Sequence, residues 1–173
     1  MTMRLHRFTP CSTSNGPGQR AVIWLQGCDF FCHGCFNPET HDPAAGMAID
    51  PTTLAGRINA LPVRGITLSG GEPLRQPDAI LELLRALNPD KDVLLYSGFS
   101  LTEAAKSPGR RSVLLKCDAA LMGRYNARSN HPYDSKELVI RTGRISPDEL
   151  RQHRIVEIVV NGRQGLVTGF PQL

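Results

Sequence analysis

The chain of 173 residues contains no apolar run of about 18 residues, so no stretch of it reads as a membrane-spanning helix. No secretory leader is expected either, since Met1 to Thr9 carries Arg4, His6 and Arg7 with no apolar h-region behind them. Blocks of like charge are also missing. The net charge of +4 and the pI near 9.0 arise from scattered residues, Arg110 and Arg111 being the one adjacent basic pair, which argues against nucleic acid as a partner. Apolar residues at 40% and charged residues at 21% are ordinary for a globular protein and exclude disorder. The length suits one domain, residues 1–173. A cytoplasmic location is expected, and there disulfides rarely persist. Five cysteines, odd in number and unevenly spaced, therefore point to metal binding or catalysis.

The run Ala21 to Gln26, closed by Gly27, predicts a first buried strand. Asp50 and Pro51 read as N-cap and first helical position, and Leu54, Ile58 and Leu61 follow on one face. Gly65 to Ser69 predicts a second strand, Pro77 to Leu87 an amphipathic helix, and Asp92 to Tyr96 a third strand. Ser100 with Glu103 fits a capping box for a short helix that Pro108 and Gly109 end, after which Ser112 to Lys116 predicts a fourth strand. Residues 121–134 show little periodicity and read as a long loop. Glu137 to Arg141 predicts a fifth strand, Ser146 and Glu149 a second capping box, and Val156 to Val160 with Leu166 to Thr168 a terminal hairpin. Strands alternating with helices imply parallel pairing, with ligands beyond the carboxyl ends of the strands. A closed barrel of eight units takes about 250 residues. The expected fold is thus α/β, an open or partial parallel βα barrel with a C-terminal hairpin.

Three cysteines follow the first strand in the loop 28–35, as Cys28, Cys32 and Cys35 of CDFFCHGC. Spacings of four and three let thiolates on one tight loop converge on a single centre, as iron-sulfur ligands must. Three ligands instead of four leave one metal position open for substrate, as at a catalytic zinc. The alternative is a zinc knuckle completed by His33, Cys11 or Cys117. Cys11 and Cys117 otherwise read as free thiols, Trp24 as core, and His131 as a loop residue.

The C-x3-C-x2-C loop, together with Ser69, Gly70, Gly71, Glu72 and Pro73 at the end of the second strand, resembles the radical S-adenosylmethionine (SAM) superfamily. The resemblance implies a [4Fe-4S] cluster on Cys28, Cys32 and Cys35, with SAM chelating the fourth iron through its amino and carboxylate groups. Gly70 and Gly71 would let the backbone approach the methionine end, and Glu72 would accept hydrogen bonds from its ammonium. Ser97 is a further candidate SAM contact. One electron would then cleave SAM to methionine and a 5′-deoxyadenosyl radical that abstracts hydrogen, with no side chain needed as acid or base.

Asn15 to Arg20 (NGPGQR), Cys32 to Thr40 (CHGCFNPET), Tyr96 to Gly98 and Thr168 to Pro171 resemble the glycyl-radical-enzyme activating group, in particular the anaerobic ribonucleotide reductase activators. These matches imply a protein partner, a glycyl radical enzyme, and an electron donor such as flavodoxin or ferredoxin. Two departures stand out. Gly34 occupies the position before the third cysteine where many members carry an aromatic residue, leaving adenine to the backbone there or to Phe36. Ser135, Lys136 and Glu137 stand where small relatives have a GSxNQ-like segment, on the side expected to face substrate. The alternatives are the same radical chemistry on a small molecule, peptide or nucleic acid, and a non-catalytic iron-sulfur or zinc module. Asp118 reads as a contact to ribose or substrate at the end of the fourth strand, or as a plain turn residue.

Overall fold

A computed structural model describes residues 1–128, 135–152, 156–161 and 164–169, the last two segments with side chains for 156–158 and 167–169 alone. Strands β1 (Met3–Ser12), β2 (Arg20–Leu25), β3 (Met47–Ile49), β4 (Gly65–Gly70), β5 (Asp92–Ser97), β6 (Ala119–Met122) and β7 (Glu137–Ile140) form one sheet in the order β3-β1-β2-β4-β5-β6-β7. Its centre, β2-β4-β5-β6, is parallel; β1 and β7 flank it antiparallel, and β3 pairs antiparallel with β1 at the outer edge. β8 (Val156–Asn161) and β9 (Gln164–Gly169) make the separate antiparallel hairpin expected at the C-terminus.

Every residue of β2 and β5 is buried, which is why the central strands read as unbroken apolar runs instead of alternating ones. Helices α1 (Pro51–Asn59), α2 (Pro77–Ala86), α3 (Leu101–Ala105) and α4 (Pro108–Leu114) cover one face: Leu54, Ile58, Ile80, Leu83, Ala104 and Val113 pack in one cluster with Ile23, Leu68 and Leu95. Leu94, Tyr96, Ala119 and Leu121 point to the other face and pack with Ile145 and with Leu150 of α5 (Pro147–Gln152). Each fully buried leucine or isoleucine contributes about 1.5–3 kcal/mol over an exposed one.

The capping expectations hold. Asp50 accepts from the Thr53 amide, Ser100 and Glu103 form a reciprocal box, and so do Ser146 and Glu149.

Four expectations are corrected. Residues 112–116 are not a strand: Ser107 caps and Pro108 opens α4, which holds Ser112 to Leu114, with Val113 buried and Leu115 exposed, the burial of a helix turn. The fourth parallel strand is β6, which begins before the stretch read as a loop and whose second half, Leu121 and Met122, falls within it. Glu137 begins a strand as expected, but β7 pairs antiparallel to β6. The run from Ala21 is the second strand in the chain, since Met3 to Ser12 forms β1, with Met3 and Leu5 turned inward. His131 and the Phe170-Pro171 end of the TGFP match lie outside the described residues.

Candidate functional site

Because β2, β4 and β5 are parallel, the loops after them emerge at one end of the sheet. That brings together three of the sequence elements that carry the resemblance, the cysteine loop, Ser69–Pro73 and Tyr96–Gly98. Cys28, Cys32, Cys35 and Phe36 line one cavity with Ser69, Gly70, Gly71, Glu72, Ser97 and Gly98. It encloses about 100 Å³. Small-molecule sites run to about 300–1,000 Å³, so a nucleotide-sized ligand extends beyond its rim.

The cysteine loop is tied at its stem. The Gly27 amide donates to the Thr40 carbonyl at 2.7 Å and the Cys28 amide to that of His41 at 3.1 Å, while the Gln26 side chain donates to the carbonyls of Glu39 and Asp42. A short 3-10 helix, Pro38–Thr40, closes the loop. Within it the Cys35 amide donates to the Cys32 carbonyl, and Phe31, exposed, takes a left-handed φ of 45°. Gly34 also has a positive φ, 69°, and a Cβ there would stand 2.9 Å from that of Ala127. Glycine at this position is thus required by the turn.

Among the described residues no three His, Cys, Asp or Glu side chains stand close enough together to hold a metal ion. The three thiols share one cavity without meeting at a point. Their chemistry fits a cluster nonetheless. Burial first, and then the nearness of the other thiols and of carboxylates, pushes the Cys28 and Cys35 thiols up, so negative charge gathers here only with a cation to balance it. Iron is such a cation, and the donor set is all sulfur.

Glu72 is 1% exposed and ties β4 to β5. Its Oε1 accepts from the Leu74 amide at 2.8 Å and the Ser97 hydroxyl at 2.9 Å, and its Oε2 from the Gly98 amide at 2.6 Å. Burial pushes its carboxyl up, opposed by these bonds and by the charge of Lys136. Three of about four acceptor sites are therefore taken by the chain itself. Ser97 Oγ, which donates to Glu72, also accepts from the Phe99 amide at 3.1 Å. Gly71 serves the same convergence: a Cβ on it would stand 2.6 Å from the Gly27 carbonyl oxygen.

Sequence reasoning missed Lys136, Tyr125, His41, Phe30 and Tyr96 as cavity-lining residues. Lys136 lay in view within the segment that departs from the GSxNQ pattern. Tyr125, which meets Phe36 edge to face at 5.5 Å, comes from the stretch without periodicity. Cys11 is exposed on β1, Cys117 is buried below α4, and neither lines the cysteine cavity. His33 lines an adjoining outer groove with Phe31 and Arg128. Trp24 is core, as read, with its Nε1 donating to Thr9 Oγ1 at 3.3 Å.

Two elements lie at the opposite end of the strands. Arg20 begins β2, is fully buried, and sits 2.5 Å from Asp92 Oδ1 while donating to Thr67 Oγ1 and to the carbonyls of Pro17 and Ile66. The NGPGQR element thus joins the starts of β2, β4 and β5. Asp118 precedes β6 and is no carboxyl-end contact: it accepts from the Val93 amide and the Thr142 hydroxyl, the turn role.

The 4Fe-4S single cluster domain matches residues 14–140. Three relatives are called anaerobic ribonucleoside-triphosphate reductase-activating protein. That of Vibrio cholerae is 29% identical over 133 residues, covering 71% of this chain and 84% of the relative. That of Enterobacteria phage T4 is 31% identical over 109 residues, 58% and 70% respectively. That of Escherichia coli K12 is 33% identical over 111 residues, 58% and 72%. With a match that runs from the segment before β2 through β7 and includes every cavity element described above, the chain belongs to the 4Fe-4S single cluster domain family.

Proposed function

We propose that this chain is a radical SAM activase that installs a glycyl radical on a partner enzyme, as the name of its relatives suggests for anaerobic ribonucleoside-triphosphate reductase. One observation carries this reading: the C-x3-C-x2-C loop and the Gly70-Gly71-Glu72 strand end line one cavity at the carboxyl ends of parallel strands, in a chain of the 4Fe-4S single cluster family.

Cys28, Cys32 and Cys35 would hold the cluster, three thiolates leaving one iron position for SAM. The chemistry a bound cluster supplies is one-electron reductive cleavage of SAM to methionine and a 5′-deoxyadenosyl radical. The chain's own residues bind and orient. Gly70 and Gly71 keep the floor free of side chains, and Glu72 holds the β4 and β5 loops in register. Ser97 is fixed by Glu72 and keeps acceptor capacity toward the cavity. Phe36, backed by Tyr125, forms the wall for adenine, while Gly34 shapes the cysteine turn without lining the cavity, and Phe30 and Phe36 exclude water from the reacting atoms.

The sheet is read as an open partial barrel of the radical SAM type and residues 1–173 as one domain. Support comes from α1 to α4 all packing on one face, the winding of a barrel and not of a doubly wound sheet. Polar bonds from Asn15 to Thr168 and from Ser12 to Glu157 support the single domain by tying the hairpin to the sheet. A cytoplasmic setting and a flavodoxin or ferredoxin as donor complete the proposal; among the described residues no helix is long and apolar enough to cross a membrane.

The test is anaerobic reconstitution with iron and sulfide, then dithionite and SAM. Release of methionine and 5′-deoxyadenosine is expected, together with a glycyl-radical doublet in electron paramagnetic resonance when the partner enzyme is added. Cluster absorbance should survive Cys11→Ala and Cys117→Ala and disappear in Cys32→Ala. No cleavage of SAM by the reconstituted protein sinks the proposal, and cleavage without a doublet on any glycyl-radical partner removes the activase half.

A further inference from the structure

Lys136 stands just before β7 and lines the cavity beside Cys32 and Glu72. An ammonium has three protons to donate. Two of them go to main-chain carbonyls that end neighbouring strands, that of Ser97 at 3.1 Å and that of Gly123 just past β6. A third acceptor is absent among the described residues. Glu72 is the nearby negative charge and attracts Lys136 through space, but its hydrogen bonds come from Leu74, Ser97 and Gly98 and none comes from Lys136. Burial, meanwhile, works against the charged form of Lys136. A half-buried cation with a spare donor and no bonded counter-ion is costly unless the cavity's occupant supplies the anion.

The surroundings narrow the class of anion. Much of the wall is aromatic, from Phe30, Phe36, Tyr96 and Tyr125, and Lys136 is the one Lys or Arg among the described lining residues. Glu72 already supplies a carboxylate to this end of the sheet. Arg124 stands outside this lining, over the Phe30 ring and paired with Glu103, so the charge it brings is already matched. A single unmatched ammonium suits a single negative charge on a planar group and disfavours a phosphate dianion.

We propose that Lys136 binds a carboxylate carried into the cavity by its ligand. The inference rests on the radical SAM reading and adds to it a residue that none of the motifs contains. Two sources offer that chemistry: the methionine carboxylate of SAM, or a carboxylate side chain of the partner polypeptide.

The test is calorimetric, on anaerobically reconstituted wild type, Lys136→Met and Lys136→Arg, with SAM, decarboxylated SAM and the partner enzyme as probes. If SAM is the source, Lys136→Met loses about tenfold or more in SAM affinity, about 1.4 kcal/mol. Lys136→Arg recovers most of it, and decarboxylated SAM binds wild type and Lys136→Met alike. If the partner is the source, SAM binding is unchanged in Lys136→Met while partner affinity falls and is recovered in Lys136→Arg. Equal loss of SAM and decarboxylated SAM means that Lys136 only braces Ser97 and Gly123, and overturns the inference. So does wild-type binding of all three probes by Lys136→Met. Failure of the wild type itself to bind SAM overturns the radical SAM reading, and the inference with it.

Discussion

Two cysteines outside the loop behave oppositely. The Cys117 thiol, 1% exposed and donating to the Val113 carbonyl at 3.3 Å, is pushed up to about 12 by burial, with Asp118 adding to the effect. Thiolate is the reactive form. Iodoacetamide at pH 8 should therefore alkylate exposed Cys11 in the native protein and spare Cys117 until the chain unfolds, as read by mass spectrometry of tryptic peptides. Glu72 offers a second test at this scale. Glu72→Gln leaves one amide NH2 facing the Gly98 or Leu74 amide, donor against donor. Urea unfolding should report a loss of about 1–3 kcal/mol, and hydrogen exchange at the Gly98 amide should quicken. The Glu72 motif is plain in the sequence. Its main-chain partners are not, since Gly98 lies 26 residues away and meets Glu72 only because β4 and β5 are parallel neighbours.

At the scale of elements, local signals were sufficient at the caps Asp50, Ser100 and Ser146. Asp50 accepts from the amide and hydroxyl of Thr53 and from the Thr52 hydroxyl, bonds that hold its carboxyl at about 2. Unfolded aspartate titrates near about 3.9. The folded value is the lower one, so Asp50 stabilises α1 above about pH 4, and the contribution is lost as pH falls toward 2. Denaturant midpoints should then show Asp50→Ala less stable than wild type at pH 7, with the gap narrowing between pH 4 and pH 2. Signals failed where a short apolar run could serve either period. SVLLK reads as a strand, yet Ser107 and Pro108 start a helix that includes most of it, and the strand falls to Ala119–Met122, whose alanines carry little strand propensity. Those four residues are in β6 because β5 offers an open edge and both faces are covered by apolar groups from distant parts of the chain.

At the scale of the molecule, the parallel sheet separates two tasks along its strands. The carboxyl ends carry the cysteine cavity, and the amino ends carry a buried charge lattice in which Asp92 faces both Arg20 and Arg64, and Arg64 reaches Glu149 of α5. Removing one member of a buried ion pair strands its partner in a dry interior. Arg20→Ala should therefore cost about 3–5 kcal/mol in urea unfolding. Arg64→Ala, whose partner Glu149 is more exposed, should cost clearly less. If Arg20 served the cavity directly, its loss would change SAM affinity in the folded protein; from the opposite end of β2 no such change is expected.

What the amino-acid sequence determined by itself was the chemistry and its order along the chain. Cysteine spacing, a glycine pair followed by a carboxylate, and caps at Asp50, Ser100 and Ser146 are interactions within a few residues, and they are legible without a fold. Tertiary structure decided which of these face one another. Pairing β2, β4 and β5 in parallel put the cysteine loop, Glu72 and Ser97 around one cavity and sent the NGPGQR element to the far end. It also delivered Lys136 to Glu72 across 64 positions of sequence, through an antiparallel strand whose direction no local residue specifies.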